Sequence, residues 1–291
     1  MESFKGINQQ SLGQKLKAYK RTPLSLVLFL LVSLSALITV STLVFLIIYI
    51  LVKGVPYLTP SLFAWEYNSE NVSLMPALIN TVLMTALSLL IAAPLGIFAA
   101  IYLVEYAKRG NKLVEVIRVT AETLSGIPSI VYGLFGFLLF AVTLGWGYSL
   151  IGGALTLAIM ILPLIMRTTE EALKSVPDSY REGSFGLGAG RLRTVFRIVL
   201  PSAVPGILAG IILAIGRIVG ETAALMYTAG TVAGIPENLL SSGRTLSVHM
   251  YVLTNEGLYT NQAYATAVVL LVIVVGINAL SGLIAKKIAK G

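Results

Sequence analysis

The chain has 291 residues, 56% of them hydrophobic and 12% charged, with a mean hydropathy of +0.87. Soluble domains carry roughly 25% charged residues, so this balance excludes a single water-soluble core and points to an integral membrane protein. A formal charge of +8 could suit a nucleic-acid partner, but the placement of the charges decides that. There is no cysteine, which removes disulfides and thiolate metal sites. The single histidine, His249, cannot build a metal centre alone and reads as a solvated loop residue.

Six apolar runs are long enough to cross a bilayer as helices, which takes about 20 residues. In chain order they are Leu24–Val52, Pro76–Val104, Ile127–Leu144, Leu150–Met166, Ala203–Tyr227 and Ala263–Ala285. The first, at 29 residues, far exceeds a signal-peptide core of about 7–15 residues, and no A-x-A-like site follows it, so it is expected to remain as a span. Pro128, Gly133 and Gly136 are expected to interrupt the third, a break tolerated only where protein or a water-filled path satisfies the backbone. The expected organisation is a tail at 1–23, a six-span region at 24–285 that includes a polar loop at 167–202, and a tail at 286–291.

Eighteen of the 21 basic residues fall on one side of this arrangement: the N-terminal tail, the segments after spans two and four, and the C-terminus. Only Lys53 and Arg244 fall on the other, and Arg217 lies inside span five. The asymmetry predicts a multi-pass membrane protein with both termini in the cytoplasm. The net charge is then topological, and a nucleic-acid partner is not expected. The external segments are Gly54–Met75, with Trp65, Tyr57, Tyr67, Glu66 and Glu70, and Thr228–Gln262, with Glu237, Arg244, His249 and Glu256. They suit either a docking surface for an external protein or solvated loops with interfacial tyrosines.

The cytoplasmic loop after span four carries the most information. Pro177 should end the preceding helix. Ser179-Tyr180-Arg181-Glu182 has capping-box spacing, so a short helix is expected from Ser179 to about Leu187, with Gly188 in the left-handed position behind it. A second short amphipathic segment, Arg191–Leu200, leads to Pro201 and Pro205. Two such helices make either a protruding knob or an interfacial loop gripping lipid headgroups.

The spacing Glu182-Gly183-Ser184, three residues, Gly188, nine residues, Ile198-x-Leu200-Pro201 resembles the Glu-Ala-Ala loop of ABC importer permeases. Gly183 and Ser184 replace the two alanines with other small residues. The resemblance extends over Asn80–Gly110, Gly126–Gly136, Leu162–Pro177, Gly216–Gly230 and Ala263–Leu271, and is nearest to PstA-type phosphate permeases. It implies an all-α, six-helix, type I importer permease fold of the MetI-like kind. It also implies that Tyr180, Arg181, Glu182, Gly183, Ser184, Leu187 and Gly188 form a coupling helix seated in the cleft of a separate ATPase. The partners implied are a PstC-like permease, a PstB-like ATPase dimer and a PstS-like phosphate-binding protein, with phosphate as cargo and membrane lipid around the spans.

The chain lacks a G-x-x-x-x-G-K-[ST] phosphate-binding loop, a Ser/His/Asp set and a metal-ligand cluster. It is therefore expected not to be an enzyme and to bind no cofactor, ATP and Mg being used by the partner ATPase. Within span five, Arg217 and Glu221 stand at i, i+4 spacing, which on a continuous helix places both on one face. Intramembrane charges cost roughly 2.5–3.5 kcal/mol each on insertion scales and mark either a path or a structural pair. Gly206, Gly210, Gly216 and Gly220 have the spacing that lets helices approach closely. The resemblance implies the path, with Arg217 offering the anion a donor and Glu221 holding Arg217. Glu122, four residues after Arg118, is expected to form a helix-end pair with it. The rival readings are a permease for sulfate or molybdate, a secondary carrier, and a non-transporting scaffold. The carrier should show inverted repeats, and none is apparent.

Overall fold

The computed structural model of the chain describes residues 23–108 and 110–288, in two units, 23–52 and 53–288. The expected tails lie outside the described residues except for Pro23 and residues 286–288. The first unit is the apolar body of helix α1 (Pro23–Gly54), which carries no charge before Lys53.

The second unit is all helical among the described residues. Helix α2 (Met75–Ile101) continues through a wider π turn at Tyr102–Tyr106. Helix α3 (Lys112–Ser125) is bent by 101° from the pair formed by α4 (Ser129–Gly136) and its π extension Phe137–Thr143. Helix α5 (Leu150–Lys174) is the central element, with buried residues along its whole length. The short α6 (Asp178–Gly186) follows, then α7 (Arg191–Thr194), a π turn at Val195–Val199, and α8 (Leu200–Val219). Helices α9 (Ala223–Thr228), α10 (Leu246–Glu256) and α11 (Thr260–Ile288) complete the chain.

Five rods are long and apolar enough to span a membrane, and the bent α3–α4 pair makes a sixth if counted as one span. The third run, expected to be interrupted, forms the second arm of this bent pair, with the break at Pro128 and the first arm reaching back to Lys112. The break is at Gly126–Pro128, where Pro128 has extended ψ of 139°. Proline disfavours helix in the residue before it and cannot donate within the new turn. The Tyr132 hydroxyl donates to the Leu124 carbonyl at 2.8 Å across this bend. Gly133 and Gly136 are not breaks at all. Both are buried inside the α4 turn, where a Cβ on Gly133 would come within 2.9 Å of the Ala224 Cα, and one on Gly136 would collide with the Thr156 hydroxyl.

The buried core runs along α5, from Leu150 through Leu157, Ile161 and Ile165 to Leu173, and is filled by Met84 from α2 and Ala214 and Ile218 from α8. Gly206 and Gly210 let α8 lie directly on α5, against Ala172 and Thr168. Gly216 meets nothing and Gly220 only its own helix, so the close-approach face covers half of the expected stripe. Gly210→Leu should force α8 off α5, because overpacking a tight contact costs about 1–3 kcal/mol and this one has no slack. The expected result is loss of folded protein after extraction, read by size-exclusion chromatography, while Gly216→Leu elutes as wild type.

The long segment expected as an external loop contains α10 and is pinned to the bundle. The Asn80 amide donates to the Gly234 and Arg244 carbonyls at 3.0 and 3.1 Å, and the Leu246 N–H donates to the Thr81 hydroxyl at 2.8 Å. The Leu150 and Ile151 N–H groups donate to Ser241 and Leu239, which places this segment at the N-terminal end of α5, with α6 at its other end, about 37 Å away at 1.5 Å per residue. Gly257 closes α10 in the left-handed conformation, φ 72°. His249 lies on α10 and is fully buried, correcting its reading as a solvated residue. Burial, and then the nearby Arg244 charge, push the imidazole pKa down from 6.5 to about 3, with the Val72 backbone opposing weakly. An unfolded chain binds the proton first, so His249 favours folding fully above pH 6.5 and loses that contribution as pH falls from 6.5 toward 3. Thermal unfolding of the solubilised protein should show this slope, and His249→Gln should flatten it relative to wild type.

Candidate functional site

Arg217 and Glu221 are not on one face, because the helix ends between them. Helix α8 stops at Val219, and Thr222, with φ −121° and ψ −55°, turns the chain into α9. Glycine at 220 has low helix propensity, and the Glu221 carboxylate offers a competing acceptor by taking the Ala224 N–H at 3.0 Å. Glu221 is 8% exposed, and the Ser247 hydroxyl donates to its carbonyl. Each charge thus sits at the favourable end of a helix: Arg217 in the last turn of α8, Glu221 at the start of α9. No carboxylate among the described residues lies within ion-pair distance of Arg217. Half-buried, Arg217 is near enough to the Tyr132 hydroxyl on α4 to act on it electrostatically. The expectation that Glu221 holds Arg217 is replaced by a guanidinium not neutralised by an ion pair with a described residue, beside a bent pair of helices.

At the other end of α5, α6 forms the expected short helix with different caps. It begins at Asp178 with Pro177 as its cap, no side chain caps it, and Ser179 and Glu182 lie within it, so the capping box is not made. Proline preset at φ −57° starts the helix instead. Its C-terminus is as expected. Gly188 has φ +82°, its N–H donates to Phe185, and the Ala189 N–H donates to Ser184, the paired bonds of a Schellman end. The second segment is not a separate helix. Arg191–Val219 reads as one rod of 29 residues, so a single short helix protrudes, joined to α8 by its own chain.

The seven coupling residues divide into two groups. Tyr180, Glu182, Gly183, Leu187 and Gly188 face outward, Leu187 with 91% of its surface exposed. Arg181 and Ser184 face inward. The Ser184 hydroxyl bonds that of Thr194 at 2.8 Å. Arg181 grips Glu105 of the α2 extension with Nη2 at 2.7 Å and Nε at 3.2 Å, and donates to the carbonyls of Val176 and Leu173 at the end of α5. The pair is largely buried, at 15% and 8% exposure. Sequence spacing did not reveal Glu105, which lies 76 positions from its partner.

A second latch holds α3 to α5. Glu170, 6% exposed, meets Arg118 Nε at 2.7 Å and Lys174 Nζ at 2.6 Å. Arg118 therefore pairs with Glu170 and not with Glu122, which instead approaches Arg167 at 3.9 Å. Across the fold, buried carboxylates Glu105 and Glu170 tie the segments around the protruding helix to α2, α3 and α5. No metal-binding group of His, Asp and Glu occurs among the described residues.

The sequence matches the family of binding-protein-dependent transport system inner membrane components over residues 92–290. The probable ABC transporter permease protein YqgI of Bacillus subtilis is 37% identical over 240 residues, covering 77% of this chain and 81% of that protein. The phosphate transport system permease protein PstA 1 of Mycobacterium tuberculosis is 43% identical over 154 residues, 53% of this chain and 50% of that one. Among solved structures, a bacterial alginate ABC transporter in complex with a periplasmic protein bound to alginate pentasaccharide superposes with a TM-score of 0.66. It is 20% identical and covers 92% of this chain and 98% of that one, so the likeness is one of fold.

Proposed function

Because this chain belongs to the family of binding-protein-dependent transport system inner membrane components, we propose that it is the permease subunit of an ATP-driven importer of inorganic phosphate. The observation that carries the phosphate assignment is the similarity to phosphate permeases joined to Arg217, a half-buried guanidinium with no described carboxylate in reach. An anion moving through the fold finds there a donor that no ion pair holds. ATP and Mg are bound by a separate PstB-like dimer, and the Leu187 tip of α6 seats in it. A PstC-like permease lines the path from the other side, and a PstS-like protein delivers phosphate outside, where Arg244 and α10 lie. Both termini are cytoplasmic. Movement of α6 passes through Arg181 and Glu105 to α2 and through Ser184 and Thr194 to α8.

The test is uptake by proteoliposomes holding the purified complex. Radiolabelled phosphate should accumulate only with ATP inside and a phosphate-loaded binding protein outside. Stimulation by sulfate or molybdate but not phosphate would change the cargo, and uptake by this chain alone under a proton gradient would make it a secondary carrier.

A further inference from the structure

At the end of the bundle remote from α6, a second guanidinium is buried with no ion-pair partner among the described residues. Arg244 is 4% exposed, and its Nε and Nη2 atoms are buried with no hydrogen-bond partner. Its main chain is fixed: the N–H donates to Val232 at 2.9 Å and the carbonyl accepts from Asn80. The guanidinium lies over the Tyr67 ring, 4.7 Å from its centroid. His249 meets the same ring edge-on, at 6.1 Å and 89°, and its ring nitrogens are buried with only the Val72 backbone near enough to act on them. Three elements converge here: the segment before α2, the strand of chain before α10, and α10 itself.

The energetics are lopsided. A cation over a tyrosine face gains little, whereas removing an ion from water costs much more. Among the described residues no carboxylate lies within ion-pair distance of it. The orphaned atoms are also the specific pair that recognises oxyanions. Nε and Nη2 form one edge of the guanidinium, the edge with which Arg181 holds both oxygens of Glu105 in this same chain. That edge matches two oxygens of a phosphate-type anion, and the neutral His249 imidazole adds one N–H donor.

We propose that Arg244, with His249 and Tyr67, forms an oxyanion-binding subsite separate from Arg217, taking a phosphate-type anion on the Nε–Nη2 edge of Arg244. Its identification as a holding place for cargo on the delivery side rests on the function proposed above; the subsite itself rests on the geometry alone.

His249 is the only histidine in the chain, so carbon-13 labelling of histidine gives one imidazole signal next to the proposed anion. The full chain, purified without a histidine tag in phospholipid-free dodecyl maltoside at pH 7.5, is titrated with inorganic phosphate and with chloride at matched ionic strength. A saturable shift is expected with phosphate and not with chloride. It should persist in Arg217→Gln and vanish in Arg244→Gln; Arg244→Lys, which keeps the charge and loses the fork, should weaken it at least about tenfold and covers the case in which the glutamine variant does not fold. Absence of a saturable shift overturns the proposal, as does a shift that survives Arg244→Gln. A shift on adding phospholipid but not phosphate would show the same chemistry recognising a headgroup and overturn the solute assignment. Loss of phosphate uptake in the complex with the shift retained would remove the cargo role and leave the subsite standing.

Discussion

Arg217→Gln should abolish phosphate uptake, by on the order of 100-fold, without changing the amount of assembled complex. Arg217 stands apart from Glu221, because α8 ends between them. Were the two a structural pair, removing the cation would leave a buried carboxylate unpaired, and breaking such a pair costs about 3–5 kcal/mol, enough to lose the fold. But the carboxylate is already satisfied by the Ala224 N–H and the start of α9, so the glutamine strands nothing. What disappears is a charge-assisted donor to the moving anion. Hydrogen bonds to charged groups contribute about 1.5–3 kcal/mol, and 1.4 kcal/mol is a factor of ten. Glu221→Gln should behave differently: it weakens the acceptor that starts α9, so it should lower thermal stability more than Arg217→Gln does. Uptake assays and thermal unfolding run on both variants separate the roles. Collapse of assembly in Arg217→Gln with uptake per assembled complex unchanged would assign it a structural place.

The contrast between these two residues shows where the sequence was readable and where it was not. Long apolar runs predict spans well, because the bilayer leaves the backbone little other choice than helix, and five of the six expected runs are rods here. Positive φ at Gly188 was legible for a similar reason: only glycine occupies that position cheaply, so the residue type carries the conformation. The failures are all places where a local pattern had two physical outcomes. Ser179 and Glu182 have capping-box spacing, but Pro177 two residues earlier starts the helix first. Arg217 and Glu221 have helical spacing, but Gly220 and the carboxylate itself end the helix between them. Arg118 has a carboxylate four residues on, yet a buried one on α5 wins, since an ion pair shielded from water is stronger than an exposed one. His249 stands in a segment polar enough to read as loop, and only the tertiary anchors at Asn80 and Thr81 reveal that it is core. Long-range pairs such as Arg181 with Glu105 leave no trace in spacing at all.

That last pair carries the second large effect. Leu187→Glu and Arg181→Ala should both uncouple ATP hydrolysis from uptake, for different reasons and with different signatures. Leu187 is a large apolar side chain left almost wholly in water at the tip of α6, with the left-handed Gly188 behind it. It adds nothing to the fold, so Leu187→Glu should leave the melting temperature of the chain unchanged. On the proposal that this tip seats in the ATPase, burying a charge there is costly, so association should weaken and uptake fall at least about 30-fold, the size of a 2 kcal/mol interface contact. Arg181 makes no use of that surface. It clamps α6 to the ends of α2 and α5, so Arg181→Ala should destabilise the α6 end of the bundle by about 3–5 kcal/mol, because Glu105 is left buried and unpaired. Its ATPase should still bind through Leu187 and hydrolyse ATP, while uptake drops. Double replacement of Arg181 by Ala and Glu105 by Gln removes the stranded charge and should recover stability without recovering uptake. If uptake returned along with stability, the clamp would be a prop for the fold, and force from the ATPase would have to reach α2 and α5 by another contact.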